Sequence, residues 1–280
     1  MKRRDTLAQG RAGQWLGGLA LAALYANVAA MRGFAACVGL VVVLGCFTLV
    51  VAPDDRADPN LSNHRPTVVI DPGHGGNDGG ASSREHLEKE LTLRLAEALK
   101  VRLEELGYAT VMTRTDDRYL ALSERVAVVN AREEPSLLIS LHFNRGNAAY
   151  INGVETYYCE EKQAPPRGWR WIGFFNPPDE VDTGEVLAAE VQQAIVAKTG
   201  ARDRGIRPSK FYVTRHTWSP AILVEGGFLS NRMEAALLAS QDYLGRMAEG
   251  IAQGVENWYE RQSDPFNPRP GQLAKADGAK

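Results

Sequence analysis

The stretch TVVIDPGHGGNDGGA, residues 67–81, decides the fold. Thr67 to Asp71 form a short β-branched run without polar alternation, which reads as a strand buried on both faces. Strands of that kind belong to parallel or mixed sheets covered by helices. The run passes straight into a loop with five glycines among the eight residues 73–80, whose backbone can approach another group closely. The Walker pattern is absent, as is GxGxxG followed by an acid about 20 residues on, so no phosphate-binding motif explains the loop. It carries one imidazole instead, His74. Taken alone, that histidine reads more readily as structural than as a ligand.

Outward from this strand, YATVMT (108–113), SLLISLH (136–142), GVETYY (153–158) and AILVEG (221–226) read as further strands, with FYV (211–213) as a sixth. Helical periodicity covers 85–106, 122–132, 185–199 and 242–259, and Gly107 and Gly200 stand where a left-handed helix cap favours glycine. The alternation predicts an α/β fold: a twisted, mainly parallel or mixed sheet of about six strands with helices on both faces, in a single catalytic domain. Functional groups are then expected at strand ends and the loops leaving them.

The 280 residues hold 32 Lys and Arg against 34 Asp and Glu, so the balance offers no footprint for wrapping nucleic acid. The three cysteines, Cys37, Cys46 and Cys159, cannot build a disulfide scaffold or a cysteine-rich zinc ribbon, so any metal site must use histidines and carboxylates. Residues 1–32 form a basic and apolar N-terminal segment, and residues 33–52 carry no charge. That run is close to the ~20 residues that span a bilayer. Basic residues before it and Asp54, Asp55 and Asp58 after it predict a cytoplasmic N-terminus with the remainder exported. It is read as an uncleaved anchor in the inner membrane. The alternatives are a cleaved signal, including one starting at Met31, or a lipoprotein box ending at Cys46. Residues 53–66 read as a linker, 67–261 as the catalytic domain, and 262–280, with three prolines, as a disordered tail.

Four polar residues are out of place in this frame. At about 100° per residue, Leu91, Leu95, Leu99, Leu103 and Leu106 form one stripe of the helix over 85–106, and Glu88 falls in its middle. Glu90 falls on the opposite side with Arg94, Glu97 and Glu104. An inward carboxylate is costly unless paired, protonated or metal-bound; the alternative is an acid complementing the helix dipole. His142 and Glu225 each end a strand that should be dry. Two histidines and one acid with an open position are a zinc arrangement used in hydrolysis, with a second carboxylate as general base.

The segments VVIDPGHGGNDGGA, EKELTLRLAEAL, GYATVMTRTDD with LSERVAVVNA, SLLISLHFN, GVETYY, RGIRPSKFYV and PAILVEGGFLSN resemble, in order, the N-acetylmuramoyl-L-alanine amidases of the AmiA/AmiC-like zinc type (amidase_3 domain). The resemblance runs from about Thr67 to Tyr259. It implies one zinc ion per domain held by His74, Glu88 and His142, with Glu225 as catalytic acid/base. The implied substrate is the peptidoglycan amide between the lactyl group of N-acetylmuramic acid and L-Ala. Peptidoglycan, a regulatory or activator protein and the inner membrane are the expected partners, in a bacterial cell envelope with the catalytic domain in the periplasm. Another zinc hydrolase, or a non-catalytic wall-binding protein on the same fold, are the competing readings. His86 is the alternative ligand near Glu88, and 159–182 is longer than in minimal relatives. His64 and His216 are assigned to linker and loop.

Overall fold

A computed structural model describes residues 65–164 and 183–263, which fall within one compact unit. The N-terminal segment, the apolar run 33–52, most of the insert 159–182 and nearly all of the tail 262–280 lie outside the described residues. The elements follow in the order β1 (Thr67–Pro72), α1 (Glu88–Glu105), β2 (Thr110–Met112), α2 (Leu122–Asn130), β3 (Ser136–Asn144) and β4 (Val154–Tyr158). After these come α3 (Thr183–Thr199), β5 (Asp203–Pro208), α4 (Tyr212–His216), β6 (Ala221–Phe228), α5 (Arg232–Ala239) and α6 (Gln241–Ser263).

The six strands form one mixed sheet in the order β2-β1-β3-β6-β4-β5. β2, β1, β3 and β6 run parallel; β4 is antiparallel to β6, and β5 is parallel to β4. Strand alternation divides the apolar side chains between two cores. Val68, Ile70, Leu137, Ile139 and Val224 face the large core with α1, α3 and α6. Val69, Leu138 and Leu223 face a smaller one with Val126 of α2 and Val213 of α4. Helices on both faces are therefore borne out, and they explain why these strands read as continuous apolar runs.

Three local readings need correction. FYV (211–213) is not a strand: Tyr212 and Val213 open the short helix α4 after Phe211. The sixth strand is DRGIRP at 203–208, half-exposed and polar because it pairs on one side only at the sheet edge. Helix α1 begins at Glu88 rather than Glu85, because Ser83 and His86 close a turn (Ser83 N to His86 O 3.0 Å, His86 N to Ser83 Oγ 3.0 Å). The glycines placed at helix ends do take positive φ, 85° at Gly107 and 68° at Gly200.

Arg65, read from the sequence as linker, is tied into the domain. Its guanidinium forks onto Glu256 of α6, whose carboxylate also accepts from Tyr108 Oη at 2.7 Å. Burial would raise the Glu256 pKa, but the hydrogen bonds from Arg65 and Tyr108 outweigh it and hold the carboxyl below its ordinary value. A depressed carboxyl contributes stability above the unfolded-state pKa near ~4.3 and loses it as pH falls through the folded value. Glu256→Gln is therefore expected to lower stability by about 1 kcal/mol at pH 7. The deficit should shrink below about pH 4, where wild type also loses the pair. Thermal unfolding of both proteins at the two pH values checks this, and a deficit that persists in acid would refute it.

Candidate active site

The parallel strands place the site. From β1 the chain passes to β2 on one side of the sheet and later to β3 on the other, so the strand order diverges between β1 and β3. Such a switch point opens a crevice at the carboxyl ends of the strands. His74 leaves the end of β1 and His142 lies near the end of β3, so the two histidines flank that crevice. Their rings lie edge to face, 4.9 Å between centroids.

Glu88 enters from the first turn of α1 and is 3% exposed. Its Oε1 stands 3.0 Å from His74 Nε2 and 2.9 Å from His142 Nδ1, and accepts from Phe143 N at 3.0 Å; Oε2 accepts from Ala81 N at 2.7 Å. Burial alone would raise the Glu88 pKa, but hydrogen bonds from His142 and then His74 overcome it and bring the group down to about 2. Burial likewise tends to lower the His74 pKa, and the bonds to Glu88 and Asp78 reverse that into a net rise. Asp78 Oδ2 sits 2.9 Å from His74 Nδ1, which turns the opposite nitrogen, Nε2, toward Glu88. One donor atom from each of His74, Glu88 and His142 lies within 4.8 Å of the others. Two imidazole nitrogens and one carboxylate oxygen are the donor set that suits zinc with a position left for a reactant.

The packing around this cluster is close. A Cβ on Gly73 would run into the His142 ring, and one on Gly80 would lie 2.5 Å from Glu88 Oε2 and 2.6 Å from His74 Cδ2. His74 itself has φ 59°, a left-handed conformation rare for a side-chain-bearing residue. Such strain persists only where the surroundings impose it. Here two buried arginines do so. Arg125 donates to Pro72 O (2.6 Å), His74 O (2.6 Å) and Asp71 Oδ1 (2.8 Å). Arg114 donates to Gly73 O (2.7 Å) and Lys89 O (2.8 Å), joining the loop to α1. Asp71 is also held by Thr113 Oγ1 (2.6 Å) and Ser140 Oγ (2.9 Å).

Glu225 pairs with His142 across β3 and β6 and lines the same cavity, about 210 Å³, with His74, His142, Phe211 and Tyr212. Its Oε2 is enclosed and has no hydrogen-bond partner among the described residues. Burial pushes its pKa well up, and the negative Glu88 and Glu155 push it further. A larger hollow of about 560 Å³ lies between α3 and α6, but polar surface residues such as Lys198 and Gln253 line it, and it lies apart from these groups.

The structure thus brings together all four residues singled out from the sequence. His86 and Glu90 stand outside the cluster. His216 stacks on Tyr212 at 4.0 Å, and His64 lies outside the described residues. Sequence reasoning missed Asp71, Asp78, Arg114 and Arg125. For Arg125 a signal existed: helical phase puts it on the stripe of Val126 and Val129, as it put Glu88 among leucines.

Residues 68–257 match the protein family described as N-acetylmuramoyl-L-alanine amidase. The Bacillus subtilis (strain 168) protein YqiI is 34% identical over 213 residues, covering 76% of this chain and 93% of its own. N-acetylmuramoyl-L-alanine amidase LytC of the same organism is 33% identical over 193 residues, 69% of this chain and 35% of LytC. The crystal structure of N-acetylmuramoyl-L-alanine amidase from Clostridium difficile 630 superposes with a TM-score of 0.60 at 35% identity, covering 70% of this chain and 97% of that one.

Proposed function

Since the chain belongs to the N-acetylmuramoyl-L-alanine amidase family of zinc-dependent cell-wall hydrolases, we propose that His74, Glu88 and His142 hold the ion and that Glu225 carries the proton. The observation that carries this reading is the convergence of three donors within 4.8 Å beside a glutamate oxygen with no hydrogen-bond partner among the described residues. The bond cut is the amide between the muramic acid lactyl group and L-Ala of peptidoglycan.

When bound, the zinc supplies Lewis acidity that polarises a carbonyl and acidifies water. The chain's own residues do the rest. Asp78 fixes the His74 ring through Nδ1, leaving Nε2 as the ligand atom. The Phe143 and Ala81 amides orient the Glu88 carboxylate. Glu225 Oε2 takes a proton from the attacking water and returns it to the leaving amine. Its enclosed position between Glu88 and Glu155 raises its proton affinity, which suits both halves of that exchange.

Peptidoglycan places the work in the cell envelope. We infer that the charge-free run 33–52 holds the domain at the outer side of the inner membrane, supported by the basic residues before it. Among the described residues no helix is long and apolar enough to cross a membrane, and 33–52 lies outside them. The composition still gives no reason to expect a nucleic acid partner, and a regulatory protein remains part of the reading.

The test is zinc content and stem-peptide release from purified peptidoglycan, for the full chain and for His142→Ala. One zinc per chain with free stem peptides is expected, with both lost in the variant. A wild-type chain that takes up no zinc would sink the reading.

A further inference from the structure

The strand register lines up a row of polar side chains leading away from the candidate metal ligands. His142 pairs with Glu225, and Glu225 pairs with Glu155 of β4. Paired residues share a sheet face, so these three stand side by side across β3, β6 and β4. The row ends at Arg204 and Arg207 of the edge strand β5. Residues 202–210 carry four cations, Arg202, Arg204, Arg207 and Lys210, against one anion, Asp203.

Glu155 is 3% exposed and already satisfied. Its Oε1 accepts from Asn144 Nδ2 (2.9 Å) and Tyr157 Oη (2.8 Å), and its Oε2 from Arg204 Nε (2.8 Å). Arg204 is committed there and lies over the Phe228 ring at 5.0 Å. Arg207 is not. Its side chain is half-exposed, and its one ionic contact among the described residues is a long one, 3.7 Å from Nη2 to Glu155 Oε2. Two guanidiniums thus share one engaged carboxylate, leaving a positive charge with most of its five donors unused among the described residues.

Arg207 pairs with Tyr157, which pairs with Leu223, so it lies two strands from β6 on the face that carries Glu225. Two strand spacings are about 10 Å. The two-residue offset between Leu223 and Glu225 brings the span from Glu225 to about 12 Å. An extended peptide advances ~3.3–3.6 Å per residue, so a chain starting at the cleaved amide reaches Arg207 in about three to four residues.

We propose that Arg207 is a specificity-determining residue that binds a free carboxylate of the peptide moiety about three to four residues beyond the cleaved amide. Glu155, engaged by Arg204, leaves the Arg207 guanidinium open to a ligand, and the fork suits a carboxylate better than its carboxamide. The inference rests on the amidase reading above and adds to it a preference for an acidic peptide.

The test uses the zinc-loaded full chain and two synthetic muramoyl-peptides that differ only in a carboxylate or carboxamide at that position. Wild type is expected to favour the acid by about tenfold in kcat/KM, as for an exposed charge-assisted pair, with the ratio shrinking as salt rises. Arg207→Gln brings the ratio toward one, Arg207→Lys keeps part of it, and Arg102→Gln, remote on α1, leaves it unchanged. Calorimetric binding of the two peptide halves alone gives the same ratio without turnover. Cleavage of both substrates without preference, or a preference that survives Arg207→Gln, would overturn this inference alone. Cleavage of neither by wild type would overturn the amidase reading beneath it.

Discussion

Glu225→Gln is expected to lower kcat by about 10²–10⁴-fold, the usual contribution of a positioned acid or base, while zinc content stays at the wild-type level. The amide keeps the size of the carboxylate, so the cavity with His74, His142 and Phe211 keeps its shape. It loses the basic carboxylate oxygen that has no hydrogen-bond partner among the described residues and that the reaction needs as a proton acceptor. A second readout separates this from misfolding. Burial and the neighbouring carboxylates Glu88 and Glu155 raise the Glu225 pKa, so the ionised side chain destabilises the metal-free fold above the unfolded pKa. That penalty fades as pH falls through the folded value toward the unfolded one. A neutral Gln escapes it. The metal-free variant should thus unfold at or above the wild-type temperature at pH 7, and the gap should close in acid. Retained hydrolysis, or a variant that loses zinc together with activity, would remove Glu225 from the proton-carrying role.

The parts of this molecule that depend on short-range pattern were legible in the sequence, and the parts that depend on distant pairing were not. β1, β3 and β6 are internal strands buried on both faces, so their apolar runs announce them. Edge strand β5 needs no such run: half its residues face solvent, and DRGIRP looks like a loop until β4 is beside it. In FYV the β-branched and aromatic preference pointed to a strand, but Phe211 and Tyr212 are exposed and only Val213 is buried, which a single helical turn satisfies. Helix α5 went unread although Asn231 caps it, accepting from Met233 N and Glu234 N. Glu234, three residues later, does not close a capping box; it accepts from Gly153 N and Phe228 N instead, tying the residue that enters β4 to the end of β6.

The site divides along the same line. Glu88 could be chosen over Glu90 because helical phase is local, and the two differ in burial as that phase requires. His74, His142 and Glu225 stood out as polar residues ending dry strands. Part of the shell that orients them is local, such as Asp78 on His74, but much of it is built from contacts between residues about 40 to 70 positions apart, such as Asp71 with Thr113, Arg125 and Ser140. No spacing rule reports those.

That shell carries the other large effect. Arg125→Met is expected to destabilise the metal-free chain by about 3–5 kcal/mol, the range for breaking a buried ion pair from one side. The Arg125 and Asp71 side chains are 4% and 1% exposed, so the loss leaves Asp71 a buried charge with, among the described residues, the Thr113 and Ser140 hydroxyls as its side-chain partners. The Pro72 and His74 carbonyls lose a donor at the same time. His74 holds a strained φ of 59°, so loosening its carbonyl frees the ring, and zinc affinity should fall by about 10–100-fold, as for other lost supporting contacts. Urea unfolding with a chelator present isolates the first effect, since bound metal would add its own stabilisation. The double variant with Asp71→Asn removes the stranded charge and should recover part of the stability. It should not recover the zinc affinity, because the His74 carbonyl stays unheld. A cost under about 1 kcal/mol for Arg125→Met would place the pair among surface-like ion pairs, and additive single effects in the double variant would show that the two residues do not act together.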